Sequence, residues 1–250
     1  MQRFKNKVVL ITGGTNGMGF TTAKDFINEG AIVIITGRSK ENVDIAVNSL
    51  GSNAIGLVSN AGRVSDIFDL LQQVKIYTDK LDVLFVNAGY GRFSPIEMVD
   101  EAHFDELFNM LVKGSFFTVQ QLLPIISEGG SIILNTSFVT AFGIENFSVY
   151  SAAKSAVQSF IKTFSSECTI KKIRVNGISP GYIKTNIFKN TGLTSDQIEE
   201  VVQGVTLTLP FKRFGEPSEI SKTVLFLASD DASYIHGAEI VIDGGLSNVK

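Results

Sequence analysis

A chain of 250 residues, 44% hydrophobic and 19% charged, carries enough apolar material for a buried core and rules out a disordered or collagen-like chain. With 22 Lys+Arg against 25 Asp+Glu, a formal charge of −3, it has no basic excess to hold a polyanion, which argues against nucleic acid as a main partner. Apolar runs such as Ala31 to Thr36 and Val83 to Val86 fall far short of the roughly 18–20 residues of a membrane span, and Val8 to Ile11 is too short for a secretory leader. A soluble cytoplasmic protein with no membrane attachment is expected.

Short Val/Ile-rich runs without in/out alternation predict strands buried on both faces at Val8–Ile11, Ala31–Thr36, Ala54–Val58, Val83–Val86, Ser131–Asn135, Ile173–Ile178 and Glu239–Ile242. Helical stripes lie between them: Ala23, Phe26 and Ile27 closed by Gly30, then Ile67, Leu70, Leu71 and Val74, then Ala153, Val157, Phe160, Ile161 and Phe164. Alternation of strand and helix predicts an α/β, doubly wound parallel sheet with helices on both faces. No linker or repeat interrupts it, so one domain spanning residues 1–250 is expected. Such sheets bind ligands beyond the carboxyl ends of their strands.

The first strand leads into Thr12-Gly13-Gly14-Thr15-Asn16-Gly17-Met18-Gly19. Glycines let backbone amides approach a phosphate at a helix N-terminus. Gly14 and Gly19 fit the glycine spacing of a nucleotide-triphosphate loop, but Phe20 stands where that loop needs its lysine. A dinucleotide-binding turn is the better reading. The second strand ends in Gly37-Arg38-Ser39, where an acid would bind the 2′-hydroxyl of NAD and an arginine the 2′-phosphate of NADP. Arg38, with Ser39 adding a neutral hydrogen bond, predicts that NADP(H) is preferred over NAD(H); Arg38→Ala is expected to erase most of that preference, and Gly37→Asp added to it to invert it.

Tyr150 and Lys154 are four residues apart, on one face of a helix, and a nearby cation would lower the phenol pKa toward neutrality. Ser137 stands just after a strand and could hydrogen-bond a substrate oxygen. One cysteine, Cys168, reads as a small buried hydrophobe, and His103 and His236 are too few for a typical zinc site, so no metal is expected.

Together, Thr12–Gly19, Asn87-Ala88-Gly89, Ser137, Tyr150-x-x-x-Lys154, Pro180-Gly181 and Ile242-Asp243-Gly244-Gly245 make the chain resemble the short-chain dehydrogenase/reductase family along essentially its whole length. The resemblance implies a Rossmann-like sheet of about seven parallel strands and hydride transfer between a nicotinamide and a ketone or secondary alcohol. It implies that Tyr150 is the general acid/base and that Lys154 holds the nicotinamide ribose. It further implies that Ser137 positions the substrate oxygen, that Asn87, Ala88 and Gly89 flank the adenine ribose, and that Ile183 and Thr185 lie by the carboxamide. Asn60 takes the place of the family's usual aspartate toward adenine. Leu111, before Val112-Lys113-Gly114, takes the place of a helix asparagine whose main-chain carbonyl serves a proton relay. Leu111 therefore leaves open a second reading, a nucleotide-binding regulator or scaffold with little turnover.

The resemblance also implies a homotetramer, with Val157, Phe160, Ile161 and Phe164 supplying either that interface or ordinary core. Phe93, Phe138, Phe142 and Phe147 predict an apolar or aromatic-lined pocket, although 19 phenylalanines make core packing the default for most of them. Pro124–Ser131 contains Glu128 and no Lys or Arg, which favours a small free ketone over an acidic carrier protein; Lys171 and Lys172 weigh slightly against this.

Overall fold

The structure, a computed structural model, describes residues 2–185 and 194–249. Seven strands, β1 (Val8–Ile11), β2 (Ile32–Gly37), β3 (Ala54–Val58), β4 (Leu81–Val86), β5 (Ile126–Asn135), β6 (Arg174–Pro180) and β7 (Glu239–Ile242), form one sheet in the order β3-β2-β1-β4-β5-β6-β7. Every pairing is parallel. The helices are α1 (Gly17–Asn28), α2 (Lys40–Leu50), α3 (Val64–Lys75), α4 (Glu101–Leu107), α5 (Gly114–Leu122), α6 (Ser148–Cys168), α7 (Ser195–Thr208) and α8 (Pro217–Ala228). This is the predicted doubly wound α/β fold. Because β1 lies between β2 and β4, the winding reverses there and opens a crevice at the carboxyl ends of β1 and β4.

Burial on both faces explains the missing alternation. Val9 and Ile11 pack with Ile35, Phe85 and Ile133 beneath α1 and α8, while Leu10 packs with Ile34, Leu84 and Leu134 beneath α3, α5 and α6. Gly30, at φ +92, closes α1, and the Ala31 amide donates back to the Phe26 carbonyl at 3.0 Å. A Cβ on Gly177 of β6 would stand 2.1 Å from Ile161 Cδ1, so α6 sits hard against the sheet.

Two strands begin earlier than the apolar runs predict. Asp82 interrupts the run of β4, yet it is buried in the strand, where its carboxylate accepts from the Val8 amide at 2.9 Å and the Lys7 ammonium at 3.2 Å. β5 starts at Ile126 rather than Ser131, with a register shift between Leu81 and Val83 and with Gly129 at φ +77 disguising it as a loop. β2 and β6 start one residue later than predicted, and β6 runs on to Pro180, paired with Ile242. Val157, Ile161 and Phe164 belong to the core of the chain itself, so they do not supply a free face for assembly. The aromatic surface left uncovered nearby is Phe68 and Phe116, which join Phe117, Phe160 and Phe164 through edge and tilted ring contacts.

Candidate active site

The glycine turn folds back onto the end of β4. Gly13 takes φ +65, and a Cβ there would stand 2.9 Å from Ala88 Cα; a Cβ on Gly19 would stand 2.4 Å from the Gly13 carbonyl oxygen. No larger residue fits either place. Thr12 Oγ1 accepts from the Asn87 and Ala88 amides at 3.0 Å each, and Asn87 Nδ2 donates to the Thr12 and Gly13 carbonyls at 3.1 and 3.2 Å. Asn87, expected as a wall beside the ribose, is thus first of all a clasp between the turn and β4. Asn16 opens α1 with extended backbone and an uncommitted side chain, and no acid stands in the first turn to spoil its positive end. Thr15, Gly17 and Met18 complete the turn.

Arg38 is exposed, and its guanidinium makes no hydrogen bond or ion pair with the described residues. It lies over the ring of Tyr90, 5.4 Å from the centroid. Ser39 caps α2, its Oγ accepting from the Asn42 amide at 3.4 Å, which leaves the hydroxyl proton for donation. A Cβ on Gly37 would stand 2.5 Å from Thr15 Cγ2 and 2.9 Å from Val43 Cγ2. An acid at 37 therefore does not fit unless the Thr15 and Val43 side chains shift. Asn60 Oδ1 already accepts from the Gly62 amide at 3.0 Å and keeps one lone pair for another donor.

Ser137 ends the β5 loop, buried, and Tyr150 and Lys154 project from the start of α6. Ser151 Oγ donates to the Val139 carbonyl at 2.9 Å and ties α6 to that loop. Ser137 and Tyr150 come within side-chain hydrogen-bonding reach. Burial raises the Tyr150 pKa, and the bond with Ser137 only partly offsets this. Lys154 Nζ lies 6.0 Å from the Tyr150 ring centroid and donates to the Asn135 carbonyl at 2.7 Å, while burial lowers its own pKa to about 8. The expectation that Lys154 draws the phenol toward neutrality is not met in this geometry: desolvation dominates both groups. Asn135 Oδ1 is buried with no hydrogen-bond partner among the described residues.

At the exit of β6, the Gly181 amide donates to the Ile242 carbonyl at 3.0 Å, holding Pro180 and Gly181 beside β7. Ile183 is buried and bridges Gly215, and Thr185 reaches the glycine turn, its Cγ2 3.3 Å from where a Cβ on Gly17 would stand. The aromatic residues gather here too. Phe93 stacks on Phe147 at 4.0 Å and meets Tyr150 edge-on at 5.7 Å, while Phe138 contacts Tyr182 at 4.8 Å and Phe142 at 5.9 Å.

A family model described as "Enoyl-(Acyl carrier protein) reductase" matches residues 13–247. The chain belongs to the short-chain dehydrogenase/reductase family. It is 35% identical to a 3-oxoacyl-[acyl-carrier-protein] reductase of Thermotoga maritima, over 98% of this chain and 99% of that one. It is 32% identical to the versicolorin reductase stcU of Emericella nidulans, over 97% and 96%. The crystal structure of levodione reductase superposes with a TM-score of 0.92 at 30% identity, covering 99% of this chain and 100% of that one. As a short-chain dehydrogenase/reductase, the protein is a nicotinamide-dependent oxidoreductase acting between CH–OH and C=O groups.

Leu111 is the clearest departure from the family pattern. Its side chain is buried against Gly89, where a Cβ would stand 2.6 Å from Leu111 Cδ2. The helix is nonetheless distorted: Phe108–Lys113 is a π-turn, with the Gly114 amide donating to the Asn109 carbonyl. The Leu111 carbonyl accepts from Ser115 Oγ at 2.6 Å. Sequence reasoning missed three residues in this short-chain dehydrogenase/reductase site: Asn135 as the anchor of Lys154, Ser151 as the tie from α6 to the Ser137 loop, and Tyr90 beneath Arg38. Their positions beside quoted motifs were the only signal. Cys168 is buried with its thiol pKa raised by desolvation, and no group of three His, Cys, Asp or Glu side chains suited to a metal occurs among the described residues. Among the described residues no helix is long and apolar enough to cross a membrane.

Proposed function

We propose that residues 1–250 form one catalytic domain that transfers hydride between NADP(H) and a small ketone or secondary alcohol, with Tyr150 as general acid or base. The observation that carries this reading is the convergence of Ser137, Tyr150 and Lys154 at the carboxyl end of the sheet. The residues present fit a dinucleotide: Gly13 and Gly19 form a cradle that a Cβ would fill, and Arg38 keeps its donors uncommitted. Thr12 to Gly19 and the first amides of α1 would hold the pyrophosphate, Arg38 and Ser39 the 2′-phosphate, and Asn60 the adenine. Asn87, Ala88 and Gly89 would flank the adenosine, Lys154 the nicotinamide ribose, and Pro180, Gly181, Ile183 and Thr185 the carboxamide. Bound there, the nicotinamide supplies or accepts the hydride.

The protein's own share is orientation and proton transfer. Ser137 Oγ donates to the substrate oxygen and fixes its position. Tyr150 Oη gives its proton to that oxygen during reduction and takes it back during oxidation. Burial keeps the phenol protonated, which suits the reductive direction at neutral pH.

Aromatic rings on both the Ser137 and the Tyr150 side support a ring-bearing ketone as substrate. Phe93 and Phe142 remain 43% and 39% exposed, apolar surface that such a ligand would cover. A carrier-protein thioester is less well served. Arg92 is engaged by Glu106 at 2.5 Å, Lys172 by Glu128 at 2.7 Å and Lys184 by Glu216 at 2.5 Å, so these cations are already neutralised. The protein works as a cytoplasmic homotetramer, for which the uncovered Phe68 and Phe116 face is the support; light scattering near 27 kDa at micromolar concentration would refute the assembly.

The regulator reading draws on Leu111, whose apolar side chain supplies no polar group beside Lys154. Retention of Ser137, Tyr150 and Lys154 weighs against it. NADPH consumption with a panel of cyclic aromatic and acyclic ketones decides between them, since a regulator binds nucleotide without consuming it.

A further inference from the structure

Tyr90 follows Asn87-Ala88-Gly89 at the end of β4, fifty-two positions from Arg38 in sequence yet directly beneath its guanidinium. Its hydroxyl donates to Glu106 Oε1 on α4 at 2.5 Å, and Arg92 Nη1 donates to the other oxygen of that carboxylate at 2.5 Å. Both Glu106 oxygens are thereby engaged, so the carboxylate fixes the ring without capturing Arg38. A guanidinium laid on an aromatic face keeps its in-plane N–H edge free for a ligand. An exposed arginine otherwise spreads over many rotamers, and that freedom opposes binding.

We propose that Tyr90, fixed by Glu106, positions Arg38 and is thereby a determinant of selection for the 2′-phosphate of NADP(H). The inference rests on the reading of Arg38 as the phosphate ligand. Burial and the Glu106 carboxylate push the Tyr90 phenol up to about 12, so it remains a hydrogen-bond donor throughout the working pH range.

The test is the dissociation constants of NADPH and NADH, followed by nucleotide fluorescence, for the parent, Tyr90→Phe, Tyr90→Leu, Arg38→Ala and the Tyr90→Leu/Arg38→Ala double variant, with Tm recorded for each. Tyr90→Leu is expected to weaken NADPH about three- to tenfold, the range of a partly exposed cation–ring contact, with NADH unchanged. Tyr90→Phe keeps the ring but loses the Glu106 bond, and its NADPH preference is expected to fall between those of the parent and Tyr90→Leu. In the Arg38→Ala background, Tyr90→Leu should have no further effect on the NADPH/NADH ratio. In turnover, the loss should appear in KM for NADPH rather than in kcat. If Tyr90→Leu weakens both nucleotides equally, or leaves NADPH untouched at unchanged Tm, the positioning role is overturned while the reading of Arg38 stands. If Arg38→Ala leaves the ratio of the parent intact, both fall.

Discussion

Lys154 Nζ donates to the main-chain carbonyl of Asn135 at 2.7 Å, and the side chain is almost wholly buried. Desolvation holds its pKa at about 8, below the value of about 10.4 for a lysine in an unfolded chain. Between these values the unfolded state binds more protons than the folded one, so stability rises as pH climbs from 8 toward 10. Lys154→Met removes this dependence. Whatever its offset, the Tm of the variant relative to the parent should be highest at pH 7 and should fall by pH 9.5. A constant difference across that range would show that the ammonium is not desolvated.

Lys154 Nζ lies over the Tyr150 ring, 6.0 Å from its centroid, yet burial moves the phenol's pKa upward. Ultraviolet titration of the protein without nucleotide, with Tyr150→Phe subtracted, should show Tyr150 ionising at higher pH than an ordinary phenol. A Tyr150 ionisation near pH 7 would mean that Lys154 governs it after all.

The sheet was legible because β1, β2 and the ends of β4 and β5 are buried on both faces and read as unbroken apolar runs. Asp82 and the Gly129-Gly130 pair concealed the starts of β4 and β5, because a strand can satisfy a carboxylate through a neighbouring amide that local sequence does not show. The glycine turn, Ser137, Tyr150 and Lys154 were legible because their spacing along one chain carries the chemistry. The contacts Lys154–Asn135 and Arg38–Tyr90 were not. They join residues from elements far apart in sequence and depend on how those elements pack, as does the burial that raises the Tyr150 pKa.

Leu111 packs against Gly89 and is buried, whereas its carbonyl is unaffected by the side chain. Leu111→Asn should leave kcat the same or raise it, while lowering stability by about 1–3 kcal/mol for an amide placed in an apolar cluster. Steady-state kinetics and a urea titration read the two effects separately. A large loss of kcat at unchanged Tm would show a relay built around the leucine.

On the proposed reading, Arg38 would offer one charge-assisted contact to a 2′-phosphate, worth about 1.5–3 kcal/mol, or roughly 10–150-fold in affinity. Arg38→Ala should erase most of the NADPH preference at physiological salt. Gly37→Asp alone should cost stability through Thr15 and Val43 before it affects specificity. Equal affinity of the parent for NADH and NADPH would remove the role assigned to Arg38.

The most direct test of the proposed chemistry is NADPH oxidation with a cyclic aromatic ketone, measured for the parent and for Tyr150→Phe alongside NADPH affinity for each. The parent should consume NADPH, and Tyr150→Phe should bind it as tightly but turn over at least about a hundredfold more slowly, the lower end of a general-acid contribution. Near-normal turnover in Tyr150→Phe, or tight binding without consumption in the parent across the ketone panel, would contradict it.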